Sequence, residues 1–449
     1  MRNRSLLFIL PFSLAACGSV LDVAPTNSIP AETAISDIFG ARSALTGAYN
    51  ALQSTSYYGQ SYLNFTEVVS DNAAKSGTLT TFADADADNL RADNAEVTGM
   101  WNAAYDAINR ANQLIQKVPG ITQASATERD EILGEAHFLR ALHYHNLVRL
   151  WGGVPLRLEP SDAPADAASI TRSTSAEVYT QIRADLDQAE QMITNTDQTR
   201  QASLGAAYSL DARVRLYQRD WAGAEAAAAT VESMGYDLAE DFDDLFTASG
   251  DDTDEDIFRV TFTPAQDNFV GYYYLTRSLG GRYEAAPTTS IIAAFDPASG
   301  GVITNYHPTD VRGIKSVARD GSRTYSPKFN TAVGDEDIHV IRFAEVILIR
   351  AEALAQLNRL TEAVDEYNRL RVRAGLAADP NTGRTQADVL AAVARERRLE
   401  LAFEGDRWAD LVRTGAATTL MGIPAEKTLF PIPQREIDTA PGITQNPSY

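Results

Sequence analysis

The chain has 449 residues, enough for roughly three domains of ~150 residues each, and its 44% apolar content supplies a sizeable core. Sixty acidic against 39 basic residues leave a formal net charge of −21, a surface that repels phosphate backbones and argues against a nucleic-acid partner. One cysteine alone rules out an intrachain disulfide framework and a multi-thiolate metal site.

Residues 1–16 read as a secretory signal. Arg2 and Arg4 precede an apolar stretch from Leu6 to Leu14, and small residues, Ala15 and Ala16, follow. The stretch is too short for a membrane-spanning helix, which needs ~20 residues. The sequence Leu14-Ala15-Ala16-Cys17 resembles the lipobox of bacterial lipoproteins. That resemblance implies cleavage before Cys17 and a diacylglycerol on its sulfur, which leaves the mature chain no free thiol. Losing Arg2 and Arg4 with residues 1–16 takes the net charge from −21 to −23. Such a chain does not adsorb to anionic lipid by charge, so attachment rests on the acylated Cys17; two acyl chains make a stable anchor. Residues 17–33 read as lipidated cysteine and flexible stalk, since Gly18, Ser19, Pro25, Asn27 and Pro30 interrupt regular structure.

Residues 34–250 are predicted mainly helical. Ile38, Ala41, Leu45, Ala48 and Leu52 recur at spacings of three and four. Residues 54–94 break this rhythm with Tyr57, Tyr58, Tyr62, Phe65 and Phe82, several glycines and the run Asp84-Ala85-Asp86-Ala87-Asp88. They read as irregular, surface-facing chain. The helical pattern resumes from Trp101 to Ile115. It is strongest over 131–151, where Gly152-Gly153 and then Pro155 mark the stop. A further helix is predicted over 176–193, and Ala206–Gln218 with Ala222–Met234 reads as a helix hairpin.

Residues 251–449 divide into a loop-rich insert (251–340), a helical part (341–415) and a tail. The insert carries a strand-like Ile257-Phe258-Arg259-Val260-Thr261-Phe262, then Tyr272, Tyr273, Tyr274, Tyr283, Tyr306 and Tyr325 among glycines and prolines. A long irregular insert in a helical protein is commonly functional. A second hairpin runs from Phe343 through Arg359-Leu360-Thr361 to Leu370. Each hairpin spans about 34 residues, the tetratricopeptide period. The fold class expected is therefore mainly all-α, a tetratricopeptide-like superhelix with long irregular loops and minor β.

Motifs for catalysis are absent: there is no Gly-x-Ser-x-Gly elbow, phosphate-cradling loop or His-Glu-x-x-His helix. His143 and His145 stand two apart on one helix and point to different faces, so packing is expected of them rather than zinc. Asp84, Asp86 and Asp88 imitate the start of a calcium loop, but the sixth position is Asn89 and the twelfth Ala95, so a solvated acidic loop is the preferred reading. Glu396, Glu400 and Glu404 share one helix face. A glycosidase needs two carboxylates ~5–9 Å apart, one with a raised pKa. Interleaved Arg397, Arg398 and Arg407 point instead to ion pairs that keep the acids charged.

The segment from Gly134 to Pro155, with Glu135-Ala136-His137-Phe138-Leu139-Arg140-Ala141-Leu142 and Trp151-Gly152-Gly153-Val154, resembles the hallmark helix of the SusD/RagB family. Further matching motifs follow in order. They are Leu21-Asp22 with Pro25, Trp101 to Asn109-Arg110-Ala111-Asn112, and Arg342-Phe343-Ala344-Glu345-Val346 to Ala351-Glu352-Ala353. Arg397 through Glu404-Gly405 to Arg407-Trp408, then Asp410 to Gly415 and Leu429-Phe430-Pro431-Ile432-Pro433, complete the set. The resemblance implies an outer-membrane surface lipoprotein. It would capture glycan or another nutrient and pass it to a SusC-like TonB-dependent transporter, with no cofactor and no catalysis. It also implies an α superhelix of four tetratricopeptide-like hairpins whose shared motifs are structural and leave the ligand site open.

Ligand contacts are therefore expected in the aromatic loops. Tyr57, Tyr58 and Tyr62 come from the first, and Tyr272, Tyr273 and Tyr283 from the second, for stacking on sugar rings; Arg282 and Asp267 are the polar partners. Two alternatives stand beside this: a surface glycosidase using two of Glu396, Glu400 and Glu404, and a scaffold whose helical repeats bind another protein.

Overall fold

The structure is a computed structural model that describes residues 34–161, 169–196, 198–247, 253–303 and 310–449. The signal, Cys17, the stalk and Tyr306 lie outside the described residues.

Helices dominate. The first, α1 (Ile38–Asn50), is capped by Asp37, whose side chain accepts from the Gly40 amide at 2.8 Å. After a turn come α2 (Ser61–Val69), the short strand β1 (Ala73–Lys75) and α3 (Thr80–Asp86). Then follow the long α4 (Ala95–Lys117) and α5 (Ala126–Trp151). The sequence pattern places the start of α5 near residue 131. The structure starts it five residues earlier, because Ser125 and Glu128 form a capping box there. At the far end Gly152, at φ 74°, takes a conformation that L side chains resist, and a Cβ there would stand 2.8 Å from Leu429 Cδ1. Next come α6 (Ser175–Met192) and the hairpin α7 (Leu204–Tyr217) with α8 (Trp221–Glu232).

The second half opens on β2 (Asp256–Val260), α9 (Val270–Tyr274), β3 (Ala285–Pro287), α10 (Thr289–Phe295) and α11 (Val311–Ser316). The strands β4 (Ala318–Asp320) and β5 (Arg323–Tyr325) make a small hairpin, and β6 (Ile338–Arg342) runs into α12 (Phe343–Gln356). The remaining helices are α13 (Leu360–Arg373), α14 (Gln386–Glu400), α15 (Arg407–Thr414), α16 (Ala416–Met421) and α17 (Gln434–Thr439).

The packing is that of a helical superhelix. Helix α5 lies between α4 and α6, α7 pairs with α8, α12 pairs with α13, and α12 also packs on α8 and α14. One continuous apolar core runs through these layers. The β content is three two-stranded antiparallel ribbons, β1–β3, β2–β6 and β4–β5. The first ties the insert to the amino-terminal half, Ala73 opposite Pro287, and the second brings the two ends of the insert together, Val260 opposite Ile338.

Helix α5 is buried on nearly every side from Ile132 to Trp151, so its polar residues need partners inside. Arg140 pairs with Asp185 at 2.6 Å, and His137 reaches the same carboxylate at 2.7 Å. Burial lowers His143 to about 3, and its Nδ1 lies 3.0 Å from the Tyr57 hydroxyl.

That last contact corrects the sequence reading of residues 54–94. They hold α2, β1 and α3, and the aromatic residues expected at the surface turn inward. Phe65 and Phe82 are fully buried, 5.7 Å apart in an edge-on pair. Glycine and tyrosine content marked this segment as loop; the polar groups of α5 that receive the tyrosine hydroxyls could not be paired with them from sequence.

Candidate functional site

The second aromatic cluster stays at the surface. In α9, Tyr274 turns into the core while Tyr272 and Tyr273 remain half-buried. The chain then reverses through Thr276–Gly281, with the Gly281 amide donating to the Thr276 carbonyl at 3.0 Å. A Cβ on Gly281 would lie 2.1 Å from the Leu275 carbonyl oxygen, so the reversal needs glycine. The returning chain lies against α9: the Arg282 amide donates to the Tyr272 carbonyl at 2.7 Å, and the Glu284 amide to that of Tyr273 at 2.8 Å. It continues into β3 and so onto β1.

This doubling brings Arg282 over Tyr273 beside Tyr272, with Tyr283 next in the chain and paired with Arg323. Tyr272 and Tyr273 have ring centroids 6.0 Å apart, and Phe269 adds a third ring 5.9 Å from Tyr272. The Arg282 guanidinium stands 5.7 Å over the Tyr273 ring and holds Glu284 at 2.7 Å. Tyr283 adopts φ 61°, unusual for a residue with a side chain, and the neighbouring segments hold it there. Its carbonyl accepts from Ser76 Oγ at 3.1 Å, and its hydroxyl donates to the Thr324 carbonyl at 2.9 Å. From β5, Arg323 places its guanidinium 5.3 Å from the Tyr283 ring centroid. Asp320 of β4 accepts from the hydroxyls of Thr276 and Ser278, which hold its carboxyl below the usual range and tie the hairpin to the reversal.

Burial raises the Tyr273 and Tyr283 phenols, so both stay neutral at ordinary pH. Chemically the patch offers flat apolar rings, phenol hydroxyls and two guanidinium groups, one of them bound to a buried carboxylate. Rings of this kind suit the C–H faces of sugars, and the polar rim suits hydroxyls.

Other residues expected at the site lie elsewhere. Tyr57, Tyr58 and Tyr62 are 1–3% exposed. Asn146 Nδ2 donates to the Tyr57 hydroxyl at 2.6 Å and to the Tyr58 hydroxyl at 2.9 Å, and the Tyr62 hydroxyl donates to Asn146 Oδ1 at 2.8 Å. Arg149 Nε donates to the Tyr62 hydroxyl at 2.7 Å. These three rings form an internal polar knot under α5 and present no face to a ligand. Asp267 is exposed beside the tight Thr263–Gln266 turn, and Arg282 takes Glu284 as its partner instead. Asp84 and Asp86 fall on α3, where a spacing of two points them to different sides, and Asp84 accepts from Asn94 Nδ2 at 3.3 Å. Two of the three acids of the calcium-loop imitation are thus on helix, and Asp88 lies in the exposed turn that follows it.

Sequence reading missed Phe269, Arg323, Ser278 and Asp320. The Asp320-Gly321 pair is a hairpin signal that could have brought Arg323 forward. Gly321 takes φ 60° at that turn.

The acidic face of α14 is closed. Glu396 meets Arg312 at 2.9 Å and Arg371 at 2.7 Å. Glu400 lies 2.6 Å from Arg342 and 3.3 Å from Arg312, and it also receives Arg373 at hydrogen-bond distance. Glu404, beyond the helix end, takes Lys328 and Arg342. Burial pushes the Glu400 carboxyl up, but Arg373, Arg342 and Arg312 outweigh it and hold the group well below the usual range. The acids are ion-paired as expected, but not by Arg397, Arg398 and Arg407, which turn to Asp406, Asp71 and Asp410; the partners come mainly from other elements.

Comparison with known proteins agrees with this architecture. The family described as "Starch-binding associating with outer membrane" matches residues 20–216, and "SusD family" matches residues 242–449. The chain is 28% identical to SusD-like protein P38 of Formosa agariphila, over 100% of this chain and 99% of that protein. Among solved structures it is similar to a SusD superfamily protein from Bacteroides vulgatus, with TM-score 0.81 and 24% identity over 92% of this chain and 99% of the other. A laminarin-binding SusD-like protein superposes with TM-score 0.76 and 25% identity, over 92% of this chain and all of that one. With matches from residue 20 to residue 449 and a shared helical architecture, the chain belongs to the SusD/RagB family.

Proposed function

We propose that this protein is a non-enzymatic glycan-capture lipoprotein of the outer-membrane surface. It binds oligosaccharide at Tyr272, Tyr273, Tyr283 and Arg282 and delivers it to a SusC-like TonB-dependent transporter. The observation that carries the reading is the half-buried, pre-formed group of rings and guanidinium groups, held by chain reversal and by two β ribbons. Stacking supplies most of the affinity, since each ring covers a sugar face with little loss of side-chain freedom. Arg282 and Arg323 bind hydroxyls at the rim. The family description of starch binding and the laminarin-binding relative support a glycan as ligand. Support for binding without turnover comes from the acids: Glu396, Glu400 and Glu404 are locked in ion pairs, and Glu284 is 2% exposed and accepts from the Thr78 and Leu79 amides.

Isothermal titration with starch and laminarin oligosaccharides tests this. Tyr272→Ala and Tyr283→Gly each weaken binding about tenfold, a loss of ~1.4 kcal/mol; glycine at 283 suits the backbone already present there. An oligosaccharide that binds with unchanged affinity to the double variant places the site elsewhere.

A further inference from the structure

A second cleft, of about 420 Å³, opens between the end of α1, the 198–201 segment and the end of β2. Its size falls within the ~300–1,000 Å³ common for small-molecule sites. None of Tyr272, Tyr273, Arg282 and Tyr283 lines it.

The lining has one dominant chemistry. Four carboxamides face the cleft, from Asn50, Gln53, Gln198 and Gln201. Gln53 Nε2 donates to the Thr261 carbonyl at 2.6 Å, while its Oε1 is buried with no partner among the described residues; the Thr261 hydroxyl is in the same condition. The side-chain carboxamides of Asn50, Gln198 and Gln201, which line the cleft, make no hydrogen bond among the described residues. A carboxamide carries both donor and acceptor, as does a sugar hydroxyl, so a cluster of them matches neighbouring hydroxyls without selecting for charge. The wall is firm: the Arg259 amide donates to the Thr199 carbonyl at 2.8 Å, and Glu131 accepts from the Thr194 amide and hydroxyl at 3.1 and 2.9 Å.

Among the described residues the cleft is lined by two guanidinium groups and no carboxylate. Its guanidinium groups are already matched: Arg259 lies 3.3 Å from Asp337 and 3.7 Å from Asp256, and Arg200 lies 3.8 Å from Asp337. An anion would compete with those carboxylates on a chain of net charge −21.

We propose that this cleft is a second binding site, for a neutral polyhydroxylated ligand the size of one or two sugar units, independent of the tyrosine patch. The test titrates the full chain with maltose, cellobiose and laminaribiose at millimolar concentration, beside Asn50→Ala/Gln201→Ala and Tyr272→Ala/Tyr283→Gly. Both amide positions lie at the surface or half-buried, and an unchanged melting curve confirms that the first variant folds. The expected result is a binding component weakened about tenfold or more in the amide variant and retained in the tyrosine variant. The tyrosine patch fails separately, by showing no component that its own variant removes. The proposal is overturned if none of the three disaccharides binds, or if every component survives in the amide variant or disappears in the tyrosine variant.

Discussion

Glu135 shows how a single buried residue sets a condition for stability. It sits on α5 at 6% exposure and accepts from the Tyr49 hydroxyl at 2.5 Å; Tyr49 in turn accepts from the Ala202 amide at 2.8 Å. Burial pushes its carboxyl up to about 7, with the Glu131 charge adding to the rise and the Tyr49 hydrogen bond opposing it. The folded state therefore holds a proton that the unfolded chain releases near its ordinary value of about 4.5. Stability from this group is complete below that value and is lost as pH rises through about 7. The loss is on the order of 3 kcal/mol. Glu135→Gln keeps an acceptor for Tyr49 and carries no charge. Urea unfolding at pH 5 and pH 8 should show the wild type losing more stability than this variant, and equal losses would remove Glu135 as the cause. Acid has the opposite effect at Asp406: burial raises its carboxyl, but Arg397 outweighs it and brings the group down to about 2, so its contribution fades as pH falls through that value.

Among the elements, α14 is the clearest case of charge used as structure. Its buried acids receive arginines from α11, β6 and α13, which fastens those elements together. Removing Glu400 takes one carboxylate from Arg312, Arg342 and Arg373 at once and leaves this buried group with excess positive charge, though each arginine keeps another acid, which costs about 3 kcal/mol. Glu400→Ala should accordingly lower the unfolding free energy by that order or block folding, with the yield of soluble protein as the second readout. A variant with wild-type stability would show that the network is not required. That α14 makes ion pairs was legible from the interleaving of Glu396, Glu400 and Glu404 with arginines. Which arginines they meet was not, because Arg312, Arg342 and Arg373 come from elsewhere in the chain. The same distinction runs through the fold. Helices α1, α5, α6, α7, α8, α12 and α13 were legible because apolar residues repeat at helical spacing over many turns. The segment 54–94 was not, because α2 and α3 are short and the segment's tyrosines are satisfied by His143, Asn146 and Arg149 of α5. Of the candidate site, Tyr272, Tyr273, Tyr283 and Arg282 were legible as an aromatic cluster in irregular chain; Arg323 depends on the β4–β5 hairpin lying against it.

At the scale of the whole molecule, the candidate site lies on a helical body with one continuous apolar core. Among the described residues no helix is long and apolar enough to cross a membrane, and the acidic surface avoids anionic headgroups. The proposed anchor is Cys17. Cys17→Ala should move the protein from the membrane fraction to the soluble fraction, with melting temperature and glycan affinity unchanged. Retention in the membrane fraction would show another anchor.

The β1–β3 ribbon has a further consequence, for the order of folding. Ala73–Lys75 can pair only after Ala285–Pro287 has been made, and Asn64 waits likewise for the Val270 carbonyl, to which it donates at 3.2 Å. Contacts between such distant parts of a chain form late, because the long loop must close first. The amino-terminal half thus stays incomplete, with apolar surface uncovered, until the carboxy-terminal half arrives. If residues 1–16 act as the export signal read from the sequence, this late completion keeps the chain loose enough to be threaded through a membrane before it folds.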